Sequence, residues 1–177
     1  IEDDETLWWD VESEGSMPHW TPNEVVTYAT ALKDAGIPFE RQGIYLSSSV
    51  TRAADWSPVV NLGLRLWVAD YGVNNGQVSS KPLVSYWKDV SLFQYTSTGK
   101  LPGYDGNLDL NITGKDVWTV YDLQVALNKL LGTTLVPDGD YGRATASAVV
   151  KFQEKYGLNA DGDAGTKTLT KLEQVIA

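Results

Sequence analysis

Apolar and polar positions change period near residue 120, and that change sets the first expectation. Before it, short apolar runs stand between polar, Gly-containing stretches. LWWDVE at 7–12, GIYLS at 43–47, LRLWVADY at 64–71, SLFQYTS at 91–97 and NLDLNI at 107–112 read as strands. PNEVVTYATALKDAG at 22–36 has helical spacing. Thr21 is placed to cap it, Pro22 suits its first position, Glu24 completes a capping box and Gly36 ends it. A shorter helix is expected over 50–55. Strand, helix, strand, short helix, strand and further strands predict a β/α architecture, parallel at first.

Beyond Val120 the period is helical throughout, with helices expected over 121–132, 144–157 and 167–176. Between them lies an internal repeat. DGDYGRAT at 138–145 and DGDAGTKT at 161–168 share D-G-D-x-G-x-x-T. Each copy predicts a tight turn, with Gly supplying a positive φ, feeding a helix that starts at the Thr. A DGD turn invites a calcium reading. The further oxygen ligands and closing Glu of an EF-hand loop are missing, so a structural turn and no metal are expected.

Composition sharpens this picture. A length of 177 residues with 42% hydrophobic content supports one ordinary domain, or one and a small second. The formal charge of −9 disfavours nucleic acid as a partner. It is unevenly spread, with 8 basic and 16 acidic residues in 1–116 against 6 and 7 in 117–177, which again suggests two modules. There is no Cys, hence no disulfide or thiol chemistry. The single His, His19, sits in the turn-like PHWTP and is expected to be a surface or packing residue. No apolar run has the length of a membrane span. No signal peptide is seen and residue 1 is Ile, so the chain reads as a processed or excised piece of something longer.

The chemistry is expected at Asp10 and Glu12. On a strand these residues share one face, about 6.6 Å apart, while Val11 points the other way. Two carboxylates at that range suit a glycosidase, one protonated to donate to the leaving oxygen and one ionised to stabilise a cationic sugar. The alternative is that they cap a helix or pair with basic residues. Seven Trp and nine Tyr favour the sugar reading, since pyranose rings stack on aromatic faces. Trp8, Trp9, Tyr45, Trp67, Tyr71, Trp87 and Tyr95 fall at or beside strand ends. Asp109, on the last strand, is a third acid that could face the same cavity.

LWWDVE, GIYLS, LWVADYG and FQYTSTGKLPGYDGNLDLN together resemble, in that order, the second half of a glycoside hydrolase family 25 lysozyme. The resemblance implies an α/β fold, a partial (β/α) barrel over residues 1–116 that lacks its first strands. It implies an N-acetylmuramidase of phage or bacterial origin that needs no cofactor, with Glu12 as general acid and Asp10 and Asp109 as supporting carboxylates. Tyr45, Trp67, Tyr71 and Gln94 fall on sugar-lining positions. Phe93 stands where the family often has Trp. Residues 117–177 resemble a three-helix peptidoglycan-binding domain, with Asp140, Tyr141, Gln153 and Tyr156 as candidate wall contacts. The family barrel has roughly three more β/α units, of roughly 30 residues each, ahead of the D-x-E strand. Five strands cannot close it, so a companion polypeptide, self-association or a purely binding role is expected for the chain alone.

Overall fold

The computed structural model describes residues 5–11 and 20–176; Glu12 and His19 lie outside them. Five strands form one curled mixed sheet in the order β1-β2-β3-β5-β6. These are β1 (Leu7–Asp10), β2 (Gln42–Ser47), β3 (Arg65–Ala69), β5 (Leu92–Leu101) and β6 (Tyr104–Thr113). β1, β2, β3 and β5 are parallel, and β6 returns antiparallel to β5. The return is a two-residue turn at Pro102-Gly103, where Pro fixes one φ and Gly adopts +86°. This hairpin extends well beyond the two short strands the sequence suggests.

Strand alternation puts one face of the sheet under helices. Ile44, Leu46, Leu66, Val68 and Phe93 are buried there against Val25, Ala29, Trp56 and Val59. Val11 joins this core, as expected for a residue opposed to Asp10. α1 (Pro22–Asp34) supplies Val25 and Ala29 and carries the expected capping box: Thr21 N–H donates to Glu24 Oε2 at 2.8 Å and Glu24 N–H donates to Thr21 Oγ1 at 3.3 Å. The expected helix over 50–55 is instead α2 (Ser48–Thr51), followed by α3 (Ser57–Asn61). Neither has the length for a helical period, so α3 left no pattern to read, although it buries Val59 completely.

A second core lies among three helices, α4 (Val120–Leu131), α5 (Arg143–Lys155) and α6 (Thr166–Ile176). Leu123, Leu127, Val149, Phe152, Leu169 and Leu172 are fully buried in it. The two cores are sewn together at their junction. β4 (Leu83–Val84) pairs in parallel with β7 (Trp118–Thr119), Leu83 packs among the helices, and Val117 packs under the sheet. Lys81 meets Glu173 at 2.7 Å and Arg52 meets Asp163 at 3.0 Å.

The repeated loops take the expected positive φ at Gly139 (+79°) and Gly162 (+74°). The helices, however, begin at Arg143 and Thr166, ahead of the repeated Thr145 and Thr168. Those threonines are buried because each meets a glutamine. Gln124 Nε2 donates to Asp138 Oδ1, the Asp140 carbonyl and Thr145 Oγ1, and its Oε1 accepts from Gly139 N–H. Gln153 repeats this pattern with Asp161, Asp163, Thr168 and Gly162. Among the described residues no cluster of His, Cys, Asp or Glu is arranged to hold a metal.

Candidate active site

The opposite, concave face of the sheet carries the candidate site residues. Each strand contributes alternate residues to it: Trp8 and Asp10 from β1, Tyr45 from β2, Trp67 from β3, Gln94 from β5 and Asp109 from β6. These six, with Tyr71 and Ser97, line one cavity of about 480 Å³. Asp10, Asp109, Tyr45, Trp67, Tyr71 and Gln94 were expected at the site, and the structure brings them together. β1 and β6 sit at opposite edges of the sheet. Asp10 and Asp109 line the same cavity because the sheet is curled. Of the other aromatics singled out by position, Trp9, Trp87 and Tyr95 pack in the core instead.

The aromatic floor is braced internally. Trp67 donates its indole N–H to Asn111 Oδ1 at 2.8 Å, which fixes the plane of the ring. Trp8 meets Trp67 edge-on with ring centres 5.7 Å apart, and Tyr45 meets it at 4.9 Å. The hydroxyls of Tyr45 and Tyr71 are 3.2 Å apart. Trp8 lies across Gly43, its register partner on β2; a Cβ there would stand 2.4 Å from the indole. Gly43 thus lets the indole lie flat on the strand. Asn111 and Gly43 were not anticipated. Their roles depend on cross-strand register, which the sequence does not display.

No basic side chain lines this cavity among the described residues, while two carboxylates do. Such a field opposes anions and stabilises positive charge developing on a bound molecule. The aromatic faces suit a flat, weakly polar ring. Such a lining can stack a sugar ring and favour positive charge developing on it.

The candidate wall contacts in the helical module do not converge. Asp140 lines a groove of about 700 Å³ formed by α4, α5 and the 132–136 loop, with Arg143 and Lys151 on its rim. Asp140 also accepts a hydrogen bond from Tyr86 at 3.2 Å. The Tyr141 hydroxyl donates to the Gly162 carbonyl at 2.8 Å and accepts from Ala164 N–H at 3.0 Å, tying one repeated loop to the other. Burial pushes its pKa up to about 12. Gln153 is 1% exposed and its amide is used inside the loop it clamps. Tyr156 packs on Phe152, with ring centres 4.6 Å apart, beneath the ammonium groups of Lys155 and Lys171.

Comparison with known proteins assigns both parts. Residues 2–104 match the sequence model of Glycosyl hydrolases family 25, and residues 119–172 match that of a putative peptidoglycan binding domain. The chain is 31% identical over 131 residues to the autolytic lysozyme of Clostridium acetobutylicum, covering 64% of this chain and 37% of the relative. It is 39% identical over 72 residues to the zinc D-Ala-D-Ala carboxypeptidase of Streptomyces albus G, covering 41% of this chain and 28% of that protein. The chain thus spans well under half the length of either curated relative. Among solved structures, a glycosyl hydrolase 25 virulence factor of Streptococcus pneumoniae superposes with TM-score 0.47 at 27% identity, covering 61% of this chain and 44% of that one. The catalytic domain of an endolysin from a bacteriophage of Listeria monocytogenes superposes with TM-score 0.45 at 26% identity, covering 61% and 48%. With more than half its length matched by that family's model, the chain belongs to glycosyl hydrolases family 25.

Proposed function

We propose that this chain is part of a peptidoglycan muramidase. In this reading residues 1–116 belong to the catalytic barrel and residues 117–177 form a wall-binding module. The reaction is hydrolysis of the β-1,4 bond between N-acetylmuramic acid and N-acetylglucosamine, and the enzyme acts at the bacterial cell wall as a phage lysis protein or a secreted autolysin. One observation carries the reading: two carboxylates and three braced aromatic rings from the strands converge on one cavity that, among the described residues, no basic side chain lines.

Glu12, two residues after Asp10 in the sequence, is assigned as the general acid that protonates the glycosidic oxygen. Asp109, across the cavity, stabilises the oxocarbenium-like centre, aided by the substrate's own N-acetyl oxygen. Trp67 supplies the stacking surface, with Tyr45 and Tyr71 beside it. The chemistry asks for no cofactor. The helical module adds no catalytic group; it raises the local concentration of enzyme on an insoluble polymer through the groove that Asp140 lines.

A second reading rests on β1, which pairs only with β2 among the described residues. In it, the 177-residue chain binds the wall without cleaving it, and cleavage requires strands supplied by a companion polypeptide. One paired assay separates the two. The chain and its Glu12→Gln variant are incubated with purified peptidoglycan, and pelleting and release of reducing sugar are both recorded. Release that disappears in the variant supports the muramidase reading. Pelleting of both proteins without release supports the second. Equal release from both would refute the role of Glu12.

A further inference from the structure

Asn74 stands in the loop that follows β3 and is not among the residues that line the cavity. Its φ is +50°, in the left-handed region that Asn enters more readily than most residues. The loop closes on itself without the Asn74 side chain. Asn74 N–H donates to the Tyr71 carbonyl at 2.8 Å, and Ser79 Oγ donates to the same carbonyl at 3.2 Å while accepting from Val73 N–H at 3.0 Å. The Asn74 side chain is directed at β5 instead. Its Oδ1 accepts from Thr96 Oγ1 at 2.8 Å and from Ser97 N–H at 3.0 Å, and its Nδ2 donates to Ser97 Oγ at 3.1 Å. The Asn74 carbonyl accepts from Thr98 Oγ1 at 2.8 Å.

The strand is irregular where Asn74 grips it. β5 advances from Gln94 to Thr96 while β6 advances only from Asn111 to Leu110, which makes a β-bulge. On a regular strand Gln94 and Ser97 would face opposite sides of the sheet. With the bulge between them, both line the cavity. A bulge interrupts the ladder, and here the Ser97 N–H finds its acceptor on Asn74. The turn that Asn74 closes begins at Tyr71, which also lines the cavity and whose hydroxyl lies 3.2 Å from that of Tyr45. One side chain outside the cavity therefore joins two of its wall residues, Tyr71 and Ser97, which come from separate segments.

We propose that Asn74 is a positioning residue: by pinning the β5 bulge to the 71–74 turn, it fixes where Tyr71 and Ser97 stand on the cavity wall and so sets the affinity for a bound sugar from outside the cavity. This rests on the carbohydrate reading of the cavity and adds a residue that acts through the wall. A wall free to move must be ordered when the ligand arrives, and that ordering is subtracted from affinity. Asn74 orders it beforehand.

The test uses the 177-residue chain and its Asn74→Gly, Asn74→Asp and Thr98→Val variants. Gly keeps the left-handed backbone and drops every side-chain bond, whereas Asp keeps an acceptor for Thr96 and for Ser97 N–H. Affinity for tri-N-acetylchitotriose is measured by calorimetric titration, with pelleting on peptidoglycan as the control. Asn74→Gly should bind the sugar about tenfold more weakly, Asn74→Asp within about twofold of wild type, and Thr98→Val, altered off the cavity, about threefold more weakly. Pelleting should hold in all three, since the helical module is untouched. Wild-type affinity in Asn74→Gly overturns the inference. So does an equal loss in Asn74→Asp, or lost pelleting, either of which would mark a general disturbance of the fold. If Asn74→Gly does not fold, Thr98→Val decides, and wild-type affinity there overturns the inference. No sugar binding by the wild-type chain overturns the carbohydrate reading and this inference with it; wild-type binding that Asn74→Gly retains in full overturns the inference alone.

Discussion

Replacing Gln153 with Leu tests whether its hydrogen bonds hold the second repeated loop, independently of any ligand. The amide makes four contacts at 2.9, 2.9, 3.1 and 2.9 Å. They do not count equally. Asp161 and the Asp163 turn are exposed and turn to water when the amide is lost. Gly162 N–H is buried, and losing its acceptor costs about 1–3 kcal/mol. Thr168 Oγ1 is buried too, but it keeps a long bond to the Asp163 carbonyl at 3.4 Å, so its share is about 1 kcal/mol. A total near 3 kcal/mol lowers Tm by roughly 6–12 °C in a chain of this size. Calorimetry reads this directly. Gln124→Leu should show the same drop, because it strips the same set of bonds from the first loop. Below its transition Gln153→Leu should still pellet with peptidoglycan. A Tm within about 2 °C of wild type would refute the reasoning. Lost wall binding in a variant that is still folded would return Gln153 to the ligand.

Gly43→Ala should displace Trp8 from β2, since the new methyl would sit 2.4 Å from the indole; oligosaccharide affinity should fall about tenfold with little loss of secondary structure by circular dichroism. Asn111→Leu frees the Trp67 indole and should weaken the same ligand while leaving wall pelleting intact. Tyr86 is pushed up to about 12 by burial and Asp140, and Tyr141 to about 12 by burial. Their raised values favour the neutral hydroxyl in the folded state, so stability should hold below the ordinary tyrosine value of 10.0 and decline as pH rises towards 12. The double Tyr86→Phe, Tyr141→Phe variant should flatten that decline in a pH series of melts. Burial raises the Glu173 pKa, but hydrogen bonds from Lys81 and Trp118 outweigh it, so the net shift is below the ordinary 4.5. A depressed carboxyl contributes stability above 4.5 and loses it as pH falls further. Glu173→Gln should remove that acid-side dependence at the junction of the modules.

The parts legible in the sequence were those set by local rules. The Thr21–Glu24 capping box, the positive φ at Gly139 and Gly162, and the opposed faces of Asp10 and Val11 depend on residues within a few positions of one another. The cavity was legible because strand alternation assigns each side chain to a face, and the resemblance supplied the order of the strands. Features set by register were not legible. Asn111 finds Trp67 from 44 residues away, and Gly43 matters only because Trp8 is opposite it. The clamps made by the buried glutamines were not legible for a related reason. A polar residue on a helix suggests a ligand or solvent, and nothing local reveals that Gln124 and Gln153 hold the loops that follow their helices.

The most direct test of the account is the identity of the new reducing end. Peptidoglycan digested by the enzyme is reduced with borohydride, and the soluble sugars are identified by mass spectrometry. A muramidase that uses Glu12 as its acid must yield N-acetylmuramitol, with no release in the Glu12→Gln variant. N-acetylglucosaminitol, or new amino termini without any reduced sugar, would contradict it.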